Sequence, residues 1–406
     1  MSTEQVQAGQ VQAGRRRLSP SRIVRAGEIL ELVRHGQART TGQLADQLGV
    51  ARSTVNDRVE VLLASGMLTL DAAASVGSRG RPASTLSFNP RSGVTLAAQL
   101  GISGVRLAVT DLAGEILTSK MIDIDLTTGP AAVLELVTTS FDETLRDLGT
   151  DPAQVHGIGV GMPAKIELAP HAGDADWSSE AVCAELSNWL PVPIFVDHDV
   201  NLLAFGEHCT RADDIEVLIS LKVGTVIGCG VVVNGTVVQG TSGLAGEIGH
   251  TRVGASEEPC SCGNLGCLNA VASGGALARR LRANGVDAPN ARAVAALARS
   301  GHVEAGHAVR MAGRDIGEVL AGVVNLLNPA VISLWGYLAE AEEQLIAGIR
   351  ESIARSAQSG PAGDIRIEPA TMGADAGLYG AAMMVVEHAL RPTAVDSYLL
   401  TQQPSS

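Results

Sequence analysis

The sequence predicts an α/β body of two similar lobes preceded by a small α+β winged helix-turn-helix domain. Residues 21–89 read as three short helices with a tight turn between the second and third, followed by strand, Gly/Arg-rich loop and strand. Residues 94–390 alternate strands with helices, and each half opens on three strands joined by tight turns. The 406 residues, 46% of them hydrophobic, supply material for about two to three domains. Aromatic residues make up only 2%, so the cores must be aliphatic.

The first segment, 1–19, repeats "QVQAG" and then runs into "RRR". It is polar and aperiodic, and a disordered arm is expected. The winged domain spans 20–90. In "SRIVRAGEILELVRHG" the residues Ile23, Ala26, Ile29, Leu30 and Val33 share one helical face, and Gly36 ends the helix. "TTGQLADQLG" opens on threonines suited to an N-cap, pairs Leu44 with Leu48 and closes at Gly49. "ARSTVNDRVEVLLASG" puts Val55, Val59, Leu62 and Leu63 on its apolar side. "MLTLDAAASVGSRGRPASTLSFN" then reads as a wing.

The body spans 91–390. Residues 94–124 form three strands with turns at Ile102–Gly104 and Ala113–Gly114, and a helix runs from Pro130 to Leu148. The strand "VHGIGVGM" follows, and "PIFVDHDVN" is a strand entering a helix. A second meander, "VLISLKVGTVIGCGVVVNGTVVQG", opens the second half. Residues 391–406 are expected to be a flexible tail.

Net charge is −13, yet residues 15–90 hold eleven arginines against six acidic residues. A basic block on an acidic body meets phosphates while the body is repelled from them. There is no apolar run of about eighteen residues for a membrane span, and the N-terminus has no apolar signal core; both point to a cytoplasmic protein. Six cysteines, three of them clustered, do not make a disulfide scaffold.

The third helix is the expected recognition helix, with Arg52, Ser53, Thr54 and Asn56 available to DNA and Arg58 on a flank. Arg and Asn side chains pair bidentately with guanine and adenine edges. Arg79 and Arg81, on the Gly-rich wing tip, suit a narrow minor groove. The alternative is a three-helix protein–protein module. Gly-rich turns in "LGISG" and "KVGTVIGCG" bring backbone amides within reach of a phosphate, although glycine is ordinary in hairpin turns. Asp199 stands where a strand yields to a helix, as a carboxylate acting on a hydroxyl or as a plain N-cap. His250, Cys260, Cys262 and Cys267, spaced H-x9-C-x-C-x4-C, make a closed tetrahedral Zn²⁺ shell, which argues for a structural ion; three free core cysteines are the alternative.

These residues carry a resemblance. "GLAGEIGH", "CSCGNLGC", "VDHDVN", "KVGTVIGCG", "NPAVISLWG" and "GADAGLYGAA" stand in the order and spacing of the ROK family of sugar-responsive repressors and sugar kinases, and nearly all of 20–390 is similar to its repressor layout. The resemblance implies a two-lobed, actin-like ATPase body of the hexokinase type. It implies structural Zn²⁺ on His250, Cys260, Cys262 and Cys267, with His250 also facing a sugar hydroxyl. It places Asp199 at the family's catalytic base and His198, Asp199, Glu247, His250 and Asn269 around the ligand. The chain departs from the kinases, with Gln99 for the aspartate of the first phosphate turn and Ile102 for a glycine within it. In the sugar pocket His198 replaces an Asn, Asn269 a Glu and Ala164 a Gly. No enzymatic activity is therefore expected. The expected function is a transcriptional repressor that binds an operator as a homodimer or homotetramer and senses a carbohydrate or related metabolite. The alternatives are a bifunctional sugar kinase and a regulator without a ligand.

Overall fold

The computed structural model describes residues 23–71, 85–101, 104–124, 126–163, 177–211, 215–358, 360, 363 and 365–401. The expected arm at 1–19, the wing tip with Arg79 and Arg81, and Ile102 and Ala164 lie outside them. Two compact units result, one of residues 23–92 with 388–401, the other of residues 93–387.

The first unit holds α1 (Ala26–Arg34), α2 (Thr41–Leu48) and α3 (Arg52–Ala64), then the antiparallel pair β1 (Leu68–Asp71) and β2 (Thr85–Phe88). A turn at Val24–Arg25, with Arg25 left-handed at φ 69°, separates Ile23 from α1. Thr40 caps α2 in a reciprocal box with Gln43, and Gly49 ends the helix at φ 64°. Ile23, Ile29, Leu30, Leu44, Val55 and Leu62 meet in the core.

The second unit has two lobes of one topology. In lobe 1, β3 (Val94–Gly101), β4 (Gly104–Asp111) and β5 (Ile116–Ile122) form the expected meander. The helix α4 (Pro130–Leu148) crosses to β6 (Val155–Met162), parallel to β3; α5 (Ser179–Trp189) leads to β7 (Ile194–His198), parallel to β6. The sheet order is β5-β4-β3-β6-β7. The chain passes through α6 (Asp199–Cys209) into lobe 2, where β8 (Val217–Val223), β9 (Ile227–Val233) and β10 (Thr236–Val237) repeat the meander. Helices α7 (Leu268–Ala272), α8 (Gly274–Ala283), α9 (Ala291–Arg299) and α10 (Val303–Leu327) precede β11 (Val331–Trp335), and α11 (Glu342–Ser356) precedes β12 (Arg366–Pro369). This sheet runs β10-β9-β8-β11-β12, with β11 and β12 parallel to β8. Each lobe buries its own aliphatic cluster, around Phe141 in lobe 1 and around α10 in lobe 2.

Next comes α12 (Ala376–Ala389), which lies across lobe 1 and contacts α6. A Cβ on Gly380 would stand 1.9 Å from the Leu202 carbonyl oxygen, and one on Gly206 2.5 Å from that of Ala376. Likewise, α6 presses on lobe 2, where a Cβ on Gly230 would fall 2.2 Å from the Val200 oxygen.

The expected tail is corrected. Residues 392–401 form a helix, α13 (Pro392–Thr401), belonging to the first unit, with Val395 and Leu399 buried. An apolar pair at i, i+4 becomes an ordered helix when another element covers it.

Gly380→Ala should lower the stability of the body by about 1–3 kcal/mol, because the added methyl meets backbone that cannot rotate away. A chemical unfolding midpoint of the body equal to wild type would contradict the close helix crossing.

Candidate functional sites

Three groups of side chains carry chemistry. The first is the N-terminal half of α3. Arg52, Ser53 and Asn56 are exposed and Thr54 half-buried, an open polar face opposite Val55, Val59 and Leu62. Arg58 is corrected: it is only 8% exposed, and its Nε and Nη1 make no hydrogen bond among the described residues. It stands three residues after Val55 and four before Leu62, on the buried stripe, so helical spacing had already placed it away from solvent.

The second group lines the cleft between the lobes. The cavity is about 660 Å³, bordered by Gln99, Arg106, Asp199, Lys222, Trp335 and Tyr337 among others. Asp199 is the first residue of α6, behind His198 as N-cap residue, so its carboxylate is not spent on capping. Instead Oδ2 accepts a hydrogen bond from Lys222 Nζ at 2.7 Å, both side chains being largely buried. Asp197 supports the same elbow: Oδ1 accepts from His198 N and Asn201 Nδ2, and Oδ2 from Gln239 Nε2, each at 2.7 Å. Lys222 and Gln239 belong to lobe 2 and Asp197 to lobe 1, so the elbow is tied from both sides. The Gln99 amide packs on α12, where a Cβ on Gly377 would lie 2.7 Å from Nε2. In the second turn, Gly224 N donates to Val226 O, and the carbonyls of Gly224 and Thr225 accept from Gly274 and Gly275 at the start of α8. On the far wall the Arg292 guanidinium stacks over Tyr337 at 5.0 Å.

The third group is the cysteine loop. The ligand atoms of His250, Cys260, Cys262 and Cys267 lie within 4.8 Å of one another. His250 Nδ1 is 3.5 Å from Cys260 Sγ, and Cys262 Sγ is 3.7 Å from Cys267 Sγ. Thiolates about 2.3 Å from an ion stand about 3.8 Å apart in a tetrahedron, so these four fit a closed four-ligand shell. The backbone N–H of Asn264 draws the Cys262 thiol pKa down to about 6, favouring the thiolate, while burial pushes Cys267 up to about 12. His250 Nε2 turns the other way, 3.8 Å from Glu247.

The expected ligand residues are thus only partly brought together. Asp199 borders the cavity; Glu247 and His250 pair with each other beside the cysteine loop. The imidazole of His198 makes no hydrogen bond among the described residues. Asn269 Oδ1 accepts from Ile227 N at 2.6 Å, and its amide abuts Gly249, so it joins the start of β9 to the "EIGH" segment. Lys222, Asp197 and Gln239 escaped the sequence reading. One signal for Lys222 was available: the chain uses three lysines against twenty-seven arginines, so a lysine beside the glycine-rich turn stands out from its composition.

The chain matches the ROK family over residues 95–388 and a helix-turn-helix domain over residues 26–71. It is 24% identical to the xylose repressor of Bacillus subtilis (strain 168), covering 86% of this chain and 91% of that one. It is 28% identical to a glucokinase of Halalkalibacterium halodurans, covering 71% and 94%. A crystal structure of a ROK family transcriptional regulator, described as a homologue of the E. coli MLC protein, shares the fold with a TM-score of 0.75 at 24% identity, over 94% of this chain and all of that one. With the match covering both lobes, the cleft and the cysteine loop, the chain belongs to the ROK family and carries a helix-turn-helix domain ahead of the ROK body.

Proposed function

We propose that the protein is a cytoplasmic transcriptional repressor that binds operator DNA through α3 and the wing and senses a sugar or sugar-derived metabolite in the cleft of its body. The observation that carries this reading is α3 itself. Its first two turns present Arg52, Ser53 and Asn56 to solvent on a helix whose other face is locked in a core. Similarity to a xylose repressor supports the same reading. Two copies would place two such helices on a two-fold operator. A ligand that binds one arrangement of the lobes better than the other would shift the equilibrium between them, and a coupling of about 1–3 kcal/mol suffices to change operator occupancy.

Within the cleft, Asp199 would act as a hydrogen-bond acceptor for a ligand hydroxyl rather than as a base. Glu247 and His250 would bind the same ligand. Zn²⁺, held by His250 Nδ1 and the three cysteine sulfurs, would supply structural rigidity to the loop and fix the tautomer of His250 with Nε2 toward the pocket. Asn269 would act from behind, through Ile227 and Gly249. Phosphoryl transfer needs positioned cations and a metal-organising carboxylate around the γ-phosphate. Position 99 offers an amide packed on α12, and the carboxylate at 199 already carries the Lys222 ammonium. The reading therefore includes no kinase activity.

Arg52→Ala and Asn56→Ala should each weaken operator binding by about 1–3 kcal/mol and relax base choice at one position. Arg79 and Arg81, as wing-tip contacts, should add a salt-dependent term. Genomic footprinting followed by anisotropy on the recovered sequence measures both. Operator binding by residues 91–406 alone, as tight as by the full chain, would sink the assignment.

Metal analysis of protein purified without chelator should give about one Zn²⁺ per chain. Cys262→Ser should lose the ion together with thermal stability and ligand affinity. Normal folding and ligand response in a metal-free preparation would refute it.

Coupled ADP-release assays over a panel of hexoses and amino sugars should show no turnover. Asp199→Asn should change ligand-dependent release from DNA while leaving operator binding of the ligand-free protein intact. Turnover of about 1 per second, the low end of kinase rates, that vanished in Asp199→Asn would establish a bifunctional kinase instead.

A further inference from the structure

The end of the chain completes the start of the winged unit. At the start of helix α1, Arg25 occupies the N-cap position at φ 69° and its side chain makes no cap hydrogen bond; among the described residues no side chain of its own segment accepts the free amides. Left-handed backbone is costly for a residue with a Cβ, so something must hold it. That something is Asp396, on α13. Its Oδ2 accepts from Arg25 N at 2.6 Å and its Oδ1 from Gly27 N at 2.8 Å. Both oxygens of one carboxylate thus serve the positive end of α1, 371 and 369 positions away. The approach is as close as backbone allows. A Cβ on Gly27 would stand 2.1 Å from the Pro392 oxygen. Ile23 and Ala26 are fully buried, and so is Val395 on α13.

The path to this contact matters. The chain enters the winged unit twice, through Ser92–Gly93 and again at Glu387–His388. The second entry is the C-terminal end of α12. The other end of α12 packs behind the cleft wall: Gly377 lies against Gln99, and Asp375, just before the helix, pairs with Arg106 of β4, both partners lining the cavity.

We propose that Asp396 is a positioning residue for operator recognition: by capping α1 from α13 it makes the C-terminal helix a working part of the DNA-binding unit. The DNA arm of this inference rests on the repressor reading; the cap itself does not.

The test uses the full chain with Asp396→Asn and Gly27→Ala, which attack the same contact from opposite sides. The amide keeps the shape but replaces one acceptor with a donor. The methyl pushes Pro392 away and leaves the carboxylate untouched. Both variants should lose hydrogen-exchange protection across residues 25–33 while the body keeps wild-type exchange. Both should bind operator about tenfold more weakly, the factor a lost helix cap of about 1.4 kcal/mol represents. Asp396→Glu, which keeps two acceptors, should recover part of the protection and part of the affinity. Wild-type protection over 25–33 in both variants overturns the cap. Lost protection with unchanged operator affinity overturns the positioning role. Should the wild-type chain bind no operator at all, the repressor reading fails by itself, and exchange protection still decides the cap.

Discussion

Two helices cross with almost nothing between them, and both lobes lean on that crossing. Gly206 of α6 meets the backbone of α12, Gly380 of α12 meets the backbone of α6, and no side chain separates them. The same economy extends outward. Gly159 of β6 lies under Ala381 of α12, and Gly230 of β9 lies under Val200 of α6. Interiors this tight transmit displacement instead of absorbing it. The far end of α6 is pinned by charge. Glu207 is completely buried, accepts from Thr371 N and Oγ1, and pairs with Arg211, which also reaches Glu368. Removing a single member of such a set strands a buried charge, which is far more damaging than the set is stabilising. At their near ends Asp199 of α6 borders the cleft, and Gly377 of α12 packs against Gln99 in its wall. A change of lobe angle is therefore felt where a ligand would sit.

Much of the fold could be read locally. Pro130 at the first turn and Gly149 in the left-handed C-terminal position bracket a helix whose ends are set by backbone chemistry alone. The two meanders announce themselves as alternating apolar runs with turn residues, and their repetition reveals the common topology of the lobes. The His250, Cys260, Cys262 and Cys267 cluster is legible because cysteine is scarce elsewhere in the chain. What stayed hidden depends on partners distant in sequence. Residues 391–401 carry Val395 and Leu399 at i, i+4, but nothing nearby in sequence covers that face; α1 supplies the surface from the other end of the chain. Arg58 hid for the opposite reason. Its charge outweighed its position on the helix, although the periodicity that buries Val55 and Leu62 also buries residue 58. Lys222 was visible only as an oddity of composition, and its partner is fixed by a contact between the lobes.

The contact between Lys222 and Asp199 bears on what kind of chemistry the cleft can host. A transferase needs a carboxylate free to take a proton and cations aimed at the phosphoryl group as it moves. Here the cation is turned onto the carboxylate itself, across 2.7 Å, in surroundings where both side chains are largely dry. Lysine fits such a place because its charge is compact; the planar fork of an arginine, which this chain prefers almost everywhere else, would demand a second acceptor. Gln99 has packed its amide against α12 and joined the wall. The cleft floor therefore pairs its own charge across the two lobes. A ligand that supplies hydroxyls to such a floor exchanges hydrogen bonds with groups already bridging the lobes. The binding energy of such a ligand is then shared between its own contacts and the preferred arrangement of the lobes.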